Sequence, residues 1–335
     1  MKKALLATTA LVLSAGVAAA DVTISGYGRT GIIYYEDAVG LDGTKETQVI
    51  SRLRMNLNAT TETDAGVEFG GQIRLQFDQN QGNATDGRGR GADTYASKIW
   101  ISAQGLTVEI GNVDVGYDSA ALKADTELGV YDRSVGFSDV AGDSFAYTDY
   151  GPNPDRVGVA AVYSFGDLNV RASMVNPDQT IDVPGAKKEY SVAVDYTWND
   201  QLELSAAFAK NALGVDGEDL FFVGARYAVQ ENARIGLNYA DASDQTGTLV
   251  SAVGTTTAVT GSKGKTLALY GDYTLADGLT NIEAYVAHND QDLRPTKNAY
   301  GIGVNYDLGG ARLGASVQRD YEKRTTADMG VRFNF

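Results

Sequence analysis

Beyond residue 20 this chain has no apolar run near the roughly 20 residues that a membrane helix needs, yet apolar and polar side chains alternate with a period of two along segment after segment. Residues 51–58 read SRLRMNLN. Leu53, Met55 and Leu57 share one parity, and Arg52, Arg54, Asn56 and Asn58 share the other. An extended backbone sends successive side chains to opposite faces, so this segment has one greasy face and one bearing two guanidinium groups. Sixteen such segments are predicted, near 22–36, 47–60, 67–78, 95–103, 106–112, 156–165, 168–175, 189–198, 202–210, 220–228, 233–240, 265–275, 279–288, 298–308, 311–319 and 324–335. No segment of comparable length reads as an amphipathic helix. With 39 Gly, 5 Pro and 19 Tyr, the composition suits many strands joined by tight turns.

The links between segments alternate between long and short. Short ones are GD at 166–167, ND beginning at Asn199, ADG at 276–278 and GG at 309–310, whereas 79–94, 113–155 and 241–264 are long. Tight turns therefore gather at one end of the sheet and loops at the other. An up-and-down transmembrane barrel has that rhythm and a Greek-key sandwich does not. An even strand count brings both termini to the periplasmic side, and pairing 22–36 with 324–335 removes every edge. Residues 21–335 thus read as one all-β domain, a 16-stranded antiparallel barrel.

One parity of the strands is lipid-compatible, as in Tyr190, Val192, Val194, Tyr196 and Trp198. The other, as in Gln72, Arg74 and Gln76, reads as a wet, charged lining. A barrel of this size leaves an aqueous channel, so the polar parity points inward. Tyr163, Phe165, Tyr196, Trp198, Tyr227, Tyr273, Tyr306, Phe333 and Phe335 sit beside the short turns and predict an aromatic girdle at that end.

The first 20 residues, MKKALLATTALVLSAGVAAA, read as a secretory signal peptide cleaved after Ala20. Without Lys2 and Lys3, 26 basic residues face 43 acidic ones, a formal charge of −17, which argues against a nucleic-acid partner. Cysteine is absent, which excludes disulfides, thiolate metal sites and a thiol nucleophile.

On the luminal parity Arg29, Arg52, Arg54 and Arg74 fall on the first three strands and predict one basic wall, since neighbouring strands lie about 4.8 Å apart. The longest link, 113–155, carries nine carboxylates against Lys123 and Arg133. A loop this long is uncommon unless functional. Folded inward it narrows the pore and sets acids across from the arginines, giving a transverse field at a constriction.

These stretches resemble the general diffusion porins of Gram-negative outer membranes, and most closely their alphaproteobacterial, Rhodobacter-like type. The resemblance runs over the whole mature chain, through DVTISGYGRTGIIY from Asp21, SRLRMNLNATTETDAGVEFGGQIRL ending at Leu75, LTVEIGN from Leu106 and the closing GVRFNF. It implies a 16-stranded barrel in the outer membrane, surrounded by lipid and lipopolysaccharide. It also implies a homotrimer, which the periodicity itself does not show, and a third loop folded into the lumen opposite the arginines. Phe335 is similar to the terminal signal read by the barrel assembly machinery. The enterobacterial P-E-F-G-G-D loop motif is missing, so the eyelet acids are taken from the first half of the loop: Asp118, Asp125, Glu127 and Asp132. The resemblance further implies calcium at clustered loop carboxylates, Asp114 with Asp118 or Asp139 with Asp143, although no EF-hand spacing is present.

The function expected is passive diffusion of small hydrophilic solutes and ions, with no required cofactor. Net negative loops favour cations at the mouth and the arginine wall favours anions at the narrowest point, and the balance leans weakly to cations. A barrel enzyme needs a nucleophile with its base, and the one histidine, His288, ends a strand on the apolar parity. A substrate-selective channel would use an aromatic slide, for which Tyr27 and Tyr35 are compatible without forming a run. An adhesin would use 241–264, whose Gly, Ser and Thr content reads more simply as an outer loop.

Overall fold

The computed structural model describes residues 20–36, 45–79, 92–124, 128–130, 156–242, 245–250, 256–261, 264–292 and 294–335. The signal peptide up to Ala19 and the loop carboxylates Asp125, Glu127, Asp132, Asp139 and Asp143 lie outside them.

A strand in hydrocarbon must pair its backbone on both sides, because no water is there to replace a missing partner. The chain meets this demand with a closed ring of sixteen antiparallel strands. The first five are β1 (Asp21–Tyr35), β2 (Thr47–Glu62), β3 (Glu68–Gln79), β4 (Ala92–Ala103) and β5 (Leu106–Gly111). After the long loop come β6 (Val157–Phe165), β7 (Leu168–Asn176), β8 (Glu189–Trp198), β9 (Leu202–Lys210), β10 (Leu220–Gln230) and β11 (Ala233–Asp241). The ring resumes with β14 (Lys265–Thr274), β15 (Thr280–Asn289), β16 (Asn298–Asp307), β17 (Ala311–Arg319) and β18 (Thr325–Asn334). β18 pairs with β1 in a register that sets Arg332 opposite Arg29. Beyond it, Phe335 N–H donates to Gly26 O at 3.0 Å and Gly26 N–H to Phe335 O at 2.8 Å.

All sixteen predicted strands are present, with ends within three residues of expectation. One element was not expected. Inside 241–264, β12 (Gln245–Val250) and β13 (Thr256–Gly261) form a separate two-stranded sheet that is not part of the ring. Tight turns use the residues that tolerate positive φ. Asn199 and Asp200 have φ of 51° and 54°, the handedness that lets a short hairpin follow the twist of its strands.

The parity assignment holds on the outer face, where Leu53, Ile99, Val286 and Met329 are exposed. The predicted girdle residues from Tyr163 to Phe335 are all exposed beside the short turns. The sequence predicts a girdle at the short-turn end alone, and the structure adds a second one. Tyr190, Phe208, Phe221 and Tyr300 are exposed near the other end, and Phe221 stacks edge-on against Tyr239 at 6.3 Å. Two belts match the two interfaces of a bilayer.

The inner face also departs from a uniformly wet lining. On its polar parity Ala193, Phe222, Ala268, Tyr285 and Ala299 are almost fully buried, because apolar residues of the long loop press onto them. Apolar area hidden there is removed from the water of the channel.

At the seam the Phe333 ring covers Gly28, where any Cβ would collide with it. Phe333→Ala uncovers that backbone at the joint that closes the ring. Loss of the ring is expected to cost about 1 kcal/mol. It should lower the temperature at which the detergent-solubilised barrel loses its strand circular dichroism. An unchanged transition would show that the seam does not depend on this ring.

Candidate functional site

The basic wall assembles as the luminal parity requires, and it is broader than the four arginines picked from the sequence. Cross-strand register places Arg29 beside Arg52, Tyr27 beside Arg54, and Asn56 beside Arg74. Across the seam Arg332 lies beside Arg29, and Arg312 beside Arg332. Six guanidinium groups thus span β17, β18, β1, β2 and β3. Several of their hydrogen bonds go to neutral groups, so the positive charge is held in place without being cancelled by those bonds. Arg54 Nε donates to Gln76 Oε1 at 2.5 Å, Arg74 Nε to Asn56 Oδ1 at 2.8 Å, and Arg52 Nη1 to Tyr27 Oη at 3.1 Å.

The first part of the long loop lies inside the ring. Gly116 N–H donates to Ser173 Oγ at 2.9 Å, Ala121 N–H to Asp195 Oδ1 at 2.9 Å, and Asn238 Nδ2 to Leu122 O at 2.7 Å. These acceptors and donors stand on the luminal faces of β7, β8 and β11. Further along, Val130 N–H donates to Asp328 Oδ1 at 2.8 Å, and Arg312 Nη2 to Gly129 O at 3.3 Å, which ties the loop to β17 and β18. The loop therefore reaches two separate sectors of the wall.

Apolar residues of the loop complete the attachment. Val113, Tyr117, Leu122, Leu128 and Val130 are buried to within 3% of full occlusion. Strand glycines make room for them: a Cβ at Gly224 would stand 3.1 Å from Leu122, one at Gly301 would stand 3.0 Å from Leu128, and one at Gly314 would stand 3.0 Å from Val130. Burial pushes the Tyr117 hydroxyl pKa up, and the charges of Asp118 and Asp241 add to the effect, so the group stays protonated.

The loop acids Asp114 and Asp118 gather on the sector of the ring from β4 to β8. Asp114 meets Lys98 at 3.0 Å, and Lys98 also meets Glu109 at 3.2 Å. Arg171 meets Glu109 at 2.8 Å and donates to Asp114 O at 3.1 Å. Asp118 pairs with Lys123. A cavity of about 330 Å³ opens among Asp114, Asp118, Ser119, Asn169, Arg171 and Asp195. Among the described residues no three acidic or histidine side chains converge as metal ligands. His288 is on the outside, its Nδ1 2.9 Å from Asn298 Oδ1.

The closed barrel of sixteen strands agrees with the comparisons with known proteins, in which the Gram-negative porin family matches residues 7–319. The chain belongs to the Gram-negative porins. It is 38% identical over 321 residues to the porin of Fuscovulum blasticum, covering 94% of this chain and 100% of that one. It is 25% identical over 329 residues to the porin of Rhodobacter capsulatus, with 94% and 100% covered. Solved structures of mutants of Rh. blastica porin superpose with TM-scores of 0.78 and 0.79 at 36% and 35% identity, again covering 94% of this chain and 100% of theirs. This porin is an outer-membrane protein and a passive channel, not an enzyme.

Of the predicted site residues, Arg29, Arg52, Arg54 and Arg74 stand together, and Asp114 and Asp118 lie over the sector from β4 to β8. The sequence reading missed Arg312 and Arg332. Pairing the last strand with the first in register would have exposed them. It also missed Asp195 and Asp328, the strand carboxylates that hold the loop. Asp328→Ala removes the acceptor for Val130 N–H and Ser316 Oγ and is expected to weaken the strap by about 1–3 kcal/mol. Single-channel recordings of that variant should show more frequent flicker at an unchanged number of open levels. Noise equal to the parent would mean that the carboxylate is not an anchor.

Proposed function

We propose that the narrowest part of this porin lies between the arginine wall and the inward loop, and that it passes small hydrophilic solutes through a transverse field. The observation that carries this reading is the pinning of residues 113–124 and 128–130 to the inside of the ring, in the same lumen as Arg29, Arg52, Arg54 and Arg74. The acids of the eyelet are Asp118 and, from the same loop, Asp125, Glu127 and Asp132. Such a field holds water and dipolar solutes in register and slows apolar ones. The net negative charge of the chain gives the channel a weak preference for cations, opposed at the eyelet by the arginines.

The test is planar-bilayer conductance under a salt gradient, with Arg52→Ala combined with Arg54→Ala. Removing two fixed positive charges should move the cation-to-anion permeability ratio toward cations, on the order of threefold, and enlarge the unit conductance. Conductance and ratio both indifferent to the change would place the eyelet elsewhere.

The porin is also proposed to function as a homotrimer. On the exterior, Thr30 Oγ1 lies 2.9 Å from Ser51 Oγ, beside a concavity of about 400 Å³ among Val304, Leu313, Ala315 and Met329. Hydroxyls and small hollows on that face suit contact with another subunit better than contact with lipid tails. Thr30→Arg is expected to convert the unheated oligomer on a detergent gel into monomer, and an unchanged oligomer band would exclude this face.

Three further assignments belong to the same reading. The leader is removed after Ala20, immediately before β1. Phe335, exposed at the end of the chain, is the mark for the assembly machinery, and lipopolysaccharide surrounds the outer loops. Calcium at Asp114 and Asp118 would have to displace the ammonium groups of Lys98 and Lys123.

A further inference from the structure

Tyr27 is a luminal aromatic that neither the strand pattern nor the loop explains. It is set on β1 between Arg52 and Arg54 of β2 and Arg332 of β18. The Arg332 guanidinium carbon lies 4.5 Å from the centre of its ring, that of Arg54 5.3 Å and that of Arg29 6.0 Å. A fourth arginine, Arg52, donates to its hydroxyl at 3.1 Å. Register alone does not require this convergence. Long side chains on adjacent strands are free to swing apart, and mutual repulsion of like charges drives them to do so.

We propose that Tyr27 is the positioning residue of the arginine wall, its ring face and hydroxyl gathering Arg29, Arg52, Arg54 and Arg332 across the seam into one fixed basic surface. The proposal rests on the reading of that wall as one side of the eyelet. An aromatic face presents negative quadrupole charge, so it attracts guanidinium groups without neutralising them as a carboxylate would. The phenol oxygen adds an acceptor at the ring edge. An acid at the same place would bind the arginines more tightly and cancel the field. A ring keeps both the geometry and the charge. Because β18 supplies Arg332 and β2 supplies Arg52 and Arg54, the contact also joins the last strand to the second through the first. A wall built from both ends of the chain thereby acts as one unit.

This role differs from an aromatic slide, in which the ring contacts the passing solute. Here its partners are the arginines themselves. The discriminating variants are Tyr27→Phe, which keeps the ring, and Tyr27→Leu and Tyr27→Met, which keep apolar bulk without one. Each is first checked for the heat-modifiable mobility of an assembled barrel. Ion permeability ratios are then measured in planar bilayers beside the Arg52→Ala, Arg54→Ala channel. The ring-free variants are expected to shift the ratio toward cations by about twofold, and Tyr27→Phe, which loses only the acceptor for Arg52, by clearly less. Ring-free variants at the parent ratio, while the double arginine variant still shifts, would overturn the positioning role and leave the eyelet reading intact. A shift as large in Tyr27→Phe as in Tyr27→Leu would overturn the role given to the ring. If the double arginine variant itself shows no shift, the eyelet reading fails and this inference fails with it.

Discussion

In hydrocarbon an unpaired backbone N–H or C=O costs several kcal/mol, and the architecture of this porin follows from avoiding that cost with strands alone. Closure of β18 onto β1 removes the last two edges, and the bonds between Gly26 and Phe335 carry the pairing to the final residue. Sixteen strands make a ring too wide for strand side chains to fill, so the interior must be water or be occupied by something else. Every strand then carries two chemistries on alternate residues. That division puts the arginines on the luminal face.

The loop is the occupant, and its attachment combines two kinds of force. Leu122, Leu128 and Val130 bury apolar area over strand glycines, while Ser173, Asp195, Asn238 and Asp328 satisfy its backbone. Hydrophobic contact alone would let the segment slide, because it has no direction. The hydrogen bonds add position. The result is a small internal core on one side of the lumen and a wet, charged passage on the other, where Arg29, Arg52, Arg54 and Arg74 stand.

Strand positions were legible because parity has a sharp physical meaning in a membrane barrel. Leu53 and Arg54 differ by one residue and by the whole thickness of the wall. The inward loop was read from its length and charge, whereas the described contacts that hold it are apolar packing and hydrogen bonds to the strands. What escaped the sequence lay in relations that no short window contains. Arg312 and Arg332 join the wall only through closure. Phe222 and Tyr285 sit on the polar parity and look like exceptions until the loop covers them. Tyr190 and Phe221 form part of a second belt that long loops scatter along the chain. The β12–β13 sheet hides in a Gly- and Thr-rich stretch whose composition suggests only a loop.

Because the chain has no cysteine, one introduced thiol reports its own position without background. Ser119→Cys puts it on the inward loop, at the cavity shared with Asp118, Arg171 and Asp195. The measurement is single-channel conductance in a planar bilayer before and after a bulky, charged methanethiosulfonate, which joins the thiol as a mixed disulfide with loss of sulfinate. A loop strapped inside the ring predicts a stepwise fall in conductance that a reducing agent reverses. Labelling confirmed by mass, with conductance unchanged, would place that loop outside the path of the solutes and contradict the account.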